Sequence, residues 1–304
     1  MSIRRAHPRR AKLPLADGSD GATVRVHPLL TCEWHSPAGF LARPSGPFRR
    51  PRTFLPALFG IRRDWFWIPV PAFVVEHPSA GPFLIDTGMH PSVADDPKEN
   101  LGALGARLYE LRMTPDQAVR AQLEARGFDP DAIRTIVMTH LHLDHASAVS
   151  EFPAATFYVD RVEWEAASRG GVMQGYHHNH LDHDYDWRLL DYDAEEVGSY
   201  ATFGRTLDLF GDGAVRLLST PGHTAGHQSV LLRLAGGQAL LIGDAAYTLD
   251  GLQAGTLPLI IQDEHRYKRS QQELRGFLEH ADDVKVAIAG HDRDRWPQLE
   301  AVYA

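Results

Sequence analysis

The chain contains a single cysteine, Cys32, among 304 residues. That excludes an intrachain disulfide and a thiolate-held metal cluster. It fits a reducing compartment, and the N-terminus lacks the apolar core of a secretory signal, so a cytoplasmic protein is expected. Apolar runs are short throughout. None nears the ~20 residues a membrane span needs, and no membrane partner is expected. Positive charge is scarce: 31 Lys and Arg against 39 Asp and Glu give a net charge of -8. A general nucleic-acid binder wants the opposite balance. The chain also lacks tandem repeats and long low-complexity tracts. Its 43% hydrophobic residues supply an ample core. One domain over residues 23–304 is expected, built as two αβ halves that join near 200. The first dozen residues stand apart: Arg4, Arg5, Arg9, Arg10 and Lys12 have no acid among them. Residues 1–22 read as a frayed, solvated basic tail.

What is present is an alternation of short apolar strands and helical stretches. Trp65 to Val75 is aromatic and β-branched, interrupted by Pro69 and Pro71. Phe83-Leu84-Ile85 ends in Asp86-Thr87-Gly88. Thr114-Pro115-Asp116-Gln117 has capping-box form and predicts a helix to about Arg126. Strands are predicted at Ile133–Thr139, Thr156–Val159, Val215–Ser219, Gln228–Leu234, Ala239–Ile242 and Val284–Ala289. Helical spacing covers Arg161–Ser168 and Tyr267–His280. Helices on the outer faces of two sheets give an α/β class, a four-layer αβ/βα sandwich.

Directly after one predicted strand comes His140-Leu141-His142-Leu143-Asp144-His145. Three imidazoles and a carboxylate in six residues are the ligand types of a zinc-like divalent metal. His140 and His142 share parity in an extended chain, Asp144 continues it and His145 breaks it. A turn there can direct one pair to one metal and the other pair to a second. His223, Asp244 and His291 each follow an apolar strand and lie beside glycine, where α/β sheets expose functional side chains. These residues read as a dinuclear metallohydrolase. Two divalent ions per chain are expected, zinc first, with iron, cobalt and manganese also tolerated by such ligands.

The pattern resembles the metallo-β-lactamase superfamily over about Val24 to His291, and the resemblance implies the four-layer sandwich and two metals. It implies that His140, His142 and His223 bind the first metal, Asp144, His145 and His291 the second, and that Asp244 bridges them. Within the superfamily the chain is similar to the N-acyl-homoserine lactone lactonases. The likeness is carried by Leu84-Ile85-Asp86-Thr87-Gly88-Met89, by HLHLDH at 140–145, by TPGHTAGHQS at 220–229, by Gly243-Asp244-Ala245-Ala246-Tyr247 and by Ala289-Gly290-His291-Asp292. It implies a substrate-facing Tyr247, a proton-carrying Asp144 and a quorum-quenching hydrolase that opens a lactone ring.

Other readings share the HxHxDH loop. A glyoxalase-II-type thioester hydrolase would want basic residues for a glutathione carboxylate, and none cluster near the motif. A β-lactamase is disfavoured by Tyr247, and a nuclease by the lack of room for an inserted domain. Redox di-iron relatives carry glutamate where this chain has His142. A non-catalytic module would have lost ligands. Ser219 and Ser229 lack a nucleophile elbow. Asp86 either fixes an imidazole ligand or caps a strand end. His227 and Asp292 are read as structural. His177, His178, His180 and His183 are read as a solvated loop at the pocket rim. Trp65, Trp67, Leu143, Met173 and Tyr176 are candidate walls for an acyl tail, and a homodimer is the default assembly.

Overall fold

The computed structural model describes residues 3–15 and 20–304. The strands β1 (Arg9–Arg10), β2 (Arg25–Pro37), β3 (Trp65–His77), β4 (Gly81–Ile85), β5 (Glu110–Arg112), β6 (Thr135–Val137), β7 (Thr156–Asp160) and β8 (Asp186–Leu190) form one sheet, ordered β1-β8-β7-β6-β4-β3-β2-β5. A second sheet holds β9 (Gly198–Tyr200), β10 (Phe203–Asp208), β11 (Val215–Ser219), β12 (Gln228–Leu234), β13 (Gly237–Gly243) and β14 (Val284–Ala289), ordered β14-β13-β12-β11-β10-β9. The chain passes from one sheet to the other between Leu190 and Gly198.

Strand parity builds the layers. Phe73, Val75, Phe83, Ile85 and Val137 meet Leu217, Val230, Leu232, Ala239 and Leu241 between the sheets. Their neighbours Ala72, Val74, Leu84 and Ile136 point the other way, onto Trp164, Ala167, Val119 and Leu123. Leu218, Leu231, Leu240 and Ile242 pack on Leu274 and Phe277 of the helix Glu264–His280. Both faces of each sheet are buried, so the central strands are apolar at consecutive positions. Among the described residues no helix is long and apolar enough to cross a membrane.

Three elements differ from the sequence reading. β3 runs unbroken through Pro69 and Pro71. β4 pairs only with Phe73–His77, so the proline-bearing half has no β4 partner and forfeits no ladder bond on that side. The helix predicted from Thr114 is two short ones, Pro115–Gln117 and Val119–Ala125, because Ala118 is extended between them (ψ 137). The basic N-terminal segment is not frayed where it is described. Arg9–Arg10 adds a parallel strand to β8, and the amides of Arg4 and Arg5 both donate to Asp182 Oδ1 at 2.6 Å. Arg9 pairs with Asp186 and Arg10 with Glu196, while Ala6 and Ala11 are buried. The positive charges thus meet acids that lie far away in sequence. Residues 1–2 and 16–19 of that segment lie outside the described residues.

Candidate metal centre

Four strand ends converge on one cavity. β6 leads into the loop of His140 and His142, and His142 caps the four-residue helix Leu143–Ala146 that carries Asp144 and His145. β11 leads to His223, β13 to Asp244, and β14 to His291. Ligand-type atoms of His140, His142 and His223 lie within 4.8 Å of one another, as do those of Asp144, His145, Asp244 and His291. All are buried except Asp144, which is half-buried.

Four of the five imidazoles are held from behind. His145 Nδ1 lies 2.7 Å from Asp86 Oδ2, His291 Nδ1 2.9 Å from the Pro69 carbonyl, and His223 Nδ1 3.1 Å from the Ile260 carbonyl. His140 Nδ1 lies 3.1 Å from Thr139 Oγ1, whose own proton goes to Asp86 Oδ2 at 2.7 Å. With Nδ1–H donating outwards, Nε2 of these four rings presents a lone pair to the cavity. His142 differs: its Nδ1 faces the cluster, 2.9 Å from His223 Nε2.

The donor set fits two divalent cations. Nε2 of His140, His145 and His291 and Oδ1 of Asp244 are buried and make no hydrogen bond, an arrangement that costs free energy unless a cation is shared. Atoms about 2.1 Å from one ion in tetrahedral order stand about 3.4 Å apart. His291 Nε2 is 3.5 Å from Asp144 Oδ2 and 3.4 Å from Asp244 Oδ2, and His145 Nε2 is 3.6 Å from Asp244 Oδ1. His223 Nε2 is 3.2 Å from Asp244 Oδ2. Asp244 therefore faces both groups, one oxygen turned to His145 and the other to His223 and His291.

Charge follows the same division. Burial and neighbouring imidazoles keep His140 well below its usual pKa, and burial brings His142 down to about 4 and lowers His223. The histidine-only group is therefore neutral, as metal ligands must be. Burial alone would lower His145 and His291 too. The carboxylates outweigh it and raise both: Asp86, Asp144 and Asp244 around His145, Asp244 and Asp144 around His291. That side of the site is an anionic cradle that draws positive charge. Asp244 is held well below the carboxylate range: burial would raise it, but His291, His223 and His145 prevail.

An open cleft leads to these atoms. Its polar end is His142, Asp144 and Asp244, and its walls include Trp34, Phe40, Tyr109, Leu111, Leu143 and Tyr247, with Val172 and Met173 also lining it. The Tyr247 ring stacks on Phe40 (5.0 Å, 18°) and meets His291 edge-on at 5.0 Å.

A metallo-beta-lactamase superfamily model matches residues 65–291. The chain is 37% identical over 239 residues to the N-acyl homoserine lactonase AttM of Agrobacterium fabrum, covering 77% of this chain and 85% of that protein. It is 30% identical over 188 residues to the N-acyl homoserine lactonase AiiA of Bacillus thuringiensis subsp. kurstaki, covering 61% of this chain and 67% of that one. The chain belongs to the metallo-beta-lactamase superfamily. Within it, the chain groups with the N-acyl homoserine lactonases. The fold agrees: an N-acyl homoserine lactone hydrolase solved with N-hexanoyl-L-homoserine at its catalytic metal centre superposes with a TM-score of 0.71 at 22% identity, covering 91% of this chain and 97% of that one. AidC, a dizinc quorum-quenching lactonase, superposes at 0.59 with 16% identity, covering 92% and 93%.

Against that superfamily frame, several expected wall residues fall elsewhere. Trp65 and Trp67 do not line the cleft. On β3 they share one parity, while Ile68 and Val70 on the other parity join the cluster of Trp34, Phe40 and Tyr247. Trp67 instead stacks on His35 (4.8 Å, 17°) and lies 4.5 Å from the Arg112 guanidinium. Trp34, opposite Ile68 on β2, supplies the indole. Tyr176 is buried behind His142 (ring centroids 5.2 Å), its hydroxyl bonded to Glu163 and Gln262. Leu143 and Met173 do line the cleft. The histidine run at 177–183 is no solvated loop: His177 and His180 are buried with stacked rings, and the helix His178–Leu181 packs beside the helix Leu143–Ala146.

Of the two alternatives for Asp86, a cap that binds backbone alone does not hold: Asp86 accepts from the Thr139 amide (2.7 Å) and also meets the His145 ring. Its backbone sits at φ 60, a left-handed conformation that aspartate tolerates better than most side chains. Sequence reasoning missed Trp34, Phe40 and Glu163. The only local sign of Glu163 is its place three residues after the helix-capping Asp160, where a capping-box glutamate would face outwards.

Proposed function

We propose that this chain opens the lactone ring of N-acyl-homoserine lactones, with His140, His142 and His223 holding one divalent ion, Asp144, His145 and His291 a second, and Asp244 between them. Zinc suits the nitrogen-and-oxygen donor set, and iron, cobalt or manganese would also be accepted. Two such ions, when bound, polarise a carbonyl oxygen and bring water towards ionisation near neutral pH. The protein's own groups do the rest. The phenol of Tyr247, on the cleft wall beside His291, donates to the carbonyl oxygen as negative charge develops there. Asp144, the half-buried acid at the cleft end, takes the proton of the attacking water and returns it to the ring oxygen as it leaves. Trp34, Phe40, Tyr109 and Leu111 receive the acyl chain and keep water from the reacting centre. One C–O bond breaks, one water is added, and the product is an N-acyl-homoserine.

The observation that carries this reading is the joining of a doubled ligand group to an apolar cleft with Tyr247 in its wall. Among the described residues lining that cleft there is no Lys or Arg, which leaves a glutathione carboxylate without a partner. A cytoplasmic homodimer belongs to the same proposal, with light scattering as its check. The test of function is a panel of acyl-homoserine lactones of several chain lengths, simple lactones, a glutathione thioester and a β-lactam. The highest kcat/KM is expected for the acyl-homoserine lactones, and faster thioester turnover would overturn the reading.

A further inference from the structure

Glu163 is an acidic side chain inside the molecule, with 0% exposure, on the helix Arg161–Arg169; burial raises its pKa, and the hydrogen bonds it accepts pull the other way. It touches no substrate wall and is no part of either ligand group. Three donors from three separate segments converge on it. The Leu141 amide reaches Oε1 at 3.0 Å, the Tyr176 hydroxyl reaches the same oxygen at 3.2 Å, and the Gly226 amide reaches Oε2 at 3.1 Å. Leu141 lies between His140 and His142, and Gly226 lies three residues beyond His223. One carboxylate thus ties together the two loops that carry all three residues of the histidine-only group.

The contact is close as well as polar. A Cβ on Gly226 would collide with the Glu163 backbone nitrogen, so the loop after His223 seats directly on the first turn of this helix. Tyr176 extends the tie: it accepts from Gln262 Nε2 at 2.9 Å, and the backbone N–H of Gln262 donates to the carbonyls of Gly222 (2.9 Å) and His223 (3.1 Å). The circuit from Glu163 through Tyr176 and Gln262 therefore closes on His223 from its other side. Its donors make no bond to Asp144, His145 or His291.

We infer that Glu163 is a positioning residue for the first metal site alone, setting the distance between the His140–His142 loop and the His223 loop. A carboxylate is required because both oxygens accept. An amide in its place turns an NH₂ group towards either the Gly226 N–H or the Leu141 N–H and Tyr176 O–H, donor against donor. Partners that orient metal ligands typically change affinity by about 10–100-fold when removed.

This inference rests on the two-metal reading above, and the experiment separates the two. Full-length metal-free protein is titrated with zinc against a chromophoric chelator, and His223→Ala identifies the step belonging to the histidine-only group. Wild type should bind two ions; fewer than two sinks the metal reading and this inference with it. In Glu163→Gln the histidine-group step should weaken about tenfold or more, with the other step within about twofold of wild type. Two unchanged steps, or two steps falling together, would overturn the assignment, since a merely structural glutamate has no reason to select one site. Should Glu163→Gln fail to fold, Tyr176→Phe decides: it removes one donor, leaves the carboxylate in place, and should weaken the same step by a smaller factor. No change in that step also overturns it.

Discussion

Asp244 shows how much of this site is fixed at the scale of single residues. Its amide donates to His227 Nε2 at 2.9 Å, so the His227 proton must sit on Nδ1, which faces Thr220 Oγ1 at 2.9 Å. Thr220 then meets Ser229, and Ser229 donates to the Ile242 carbonyl at 2.7 Å. His227, beside the ligands in sequence, therefore serves the backbone of the residue between the two groups. Gly290 guards the same residue from the opposite side: a Cβ there would overlap Asp244 Oδ1. Gly290→Ala should cut metal stoichiometry below that of wild type, measured by elemental analysis of purified protein, while circular dichroism stays unchanged. Tyr247→Phe keeps the stacked ring and removes the phenolic proton. It should lower kcat for lactones by about a hundredfold, as loss of one charge-stabilising donor does, with metal content intact. An unchanged kcat would remove Tyr247 from the chemistry.

At the scale of elements, the pairing of β2 with β3 decides what the substrate meets. Trp34 stands opposite Ile68, and Val70 follows on the same face, so two adjacent strands build one apolar wall. Each tail methylene buried against it is worth about 0.8 kcal/mol, or about fourfold in affinity. For chains short enough to lie within the cleft, kcat/KM should climb by up to that factor per carbon, and Trp34→Ala should flatten the slope more than it lowers the rate on a short-chain lactone. The helix Arg161–Arg169 carries a pH dependence of its own. Its cap, Asp160, accepts from the Val162 amide at 2.6 Å, and burial lifts its pKa to about 7. The folded-state pKa lies above the unfolded one. The stability Asp160 contributes is therefore complete below about pH 4 and is lost as pH rises to about 7, by at most ~1.4 kcal/mol per pH unit. Asp160→Asn keeps a capping oxygen, and its thermal midpoint should lose that slope; an identical slope in both proteins would place the titration elsewhere.

For the whole molecule, the site is a junction. The first sheet supplies His140 to His145, the second supplies His223, Asp244 and His291, and the last of these bonds back to Pro69 of the first sheet. Ions shared by both halves should stabilise the assembled fold over the unfolded chain. Chelation should lower the thermal midpoint by roughly 5 °C or more and make it depend on zinc concentration. The N-terminal segment acts far from that junction. Deleting residues 1–12 strips β1 from the edge of β8 and uncovers the packing of Ala6 and Ala11. The thermal midpoint should drop while two metals per chain are retained.

The candidate ligands were legible as a cluster because metal chemistry restricts such donors to few side-chain types and strand ends place them: His140, His142, Asp144, His145, His223, Asp244 and His291 all follow apolar strands in the sequence itself, and the fold gathers them into two groups. The layered sandwich was legible for a related reason, since strands buried on both faces must be apolar at consecutive positions. The walls were not. Trp65 and Trp67 are as aromatic as Trp34, and only the register of β2 on β3 assigns one parity to the cleft and the other to His35 and Arg112. Nor were the long-range partners: Arg4 and Arg5 with Asp182, Tyr176 with Glu163, Glu163 with Leu141 and Gly226. Composition and periodicity are properties of neighbours along the chain, so the sequence by itself determined the donor set and the layers. Which buried polar group meets which, and which face of a strand looks into the cavity, depend on contacts between distant segments, and only the tertiary structure decides those.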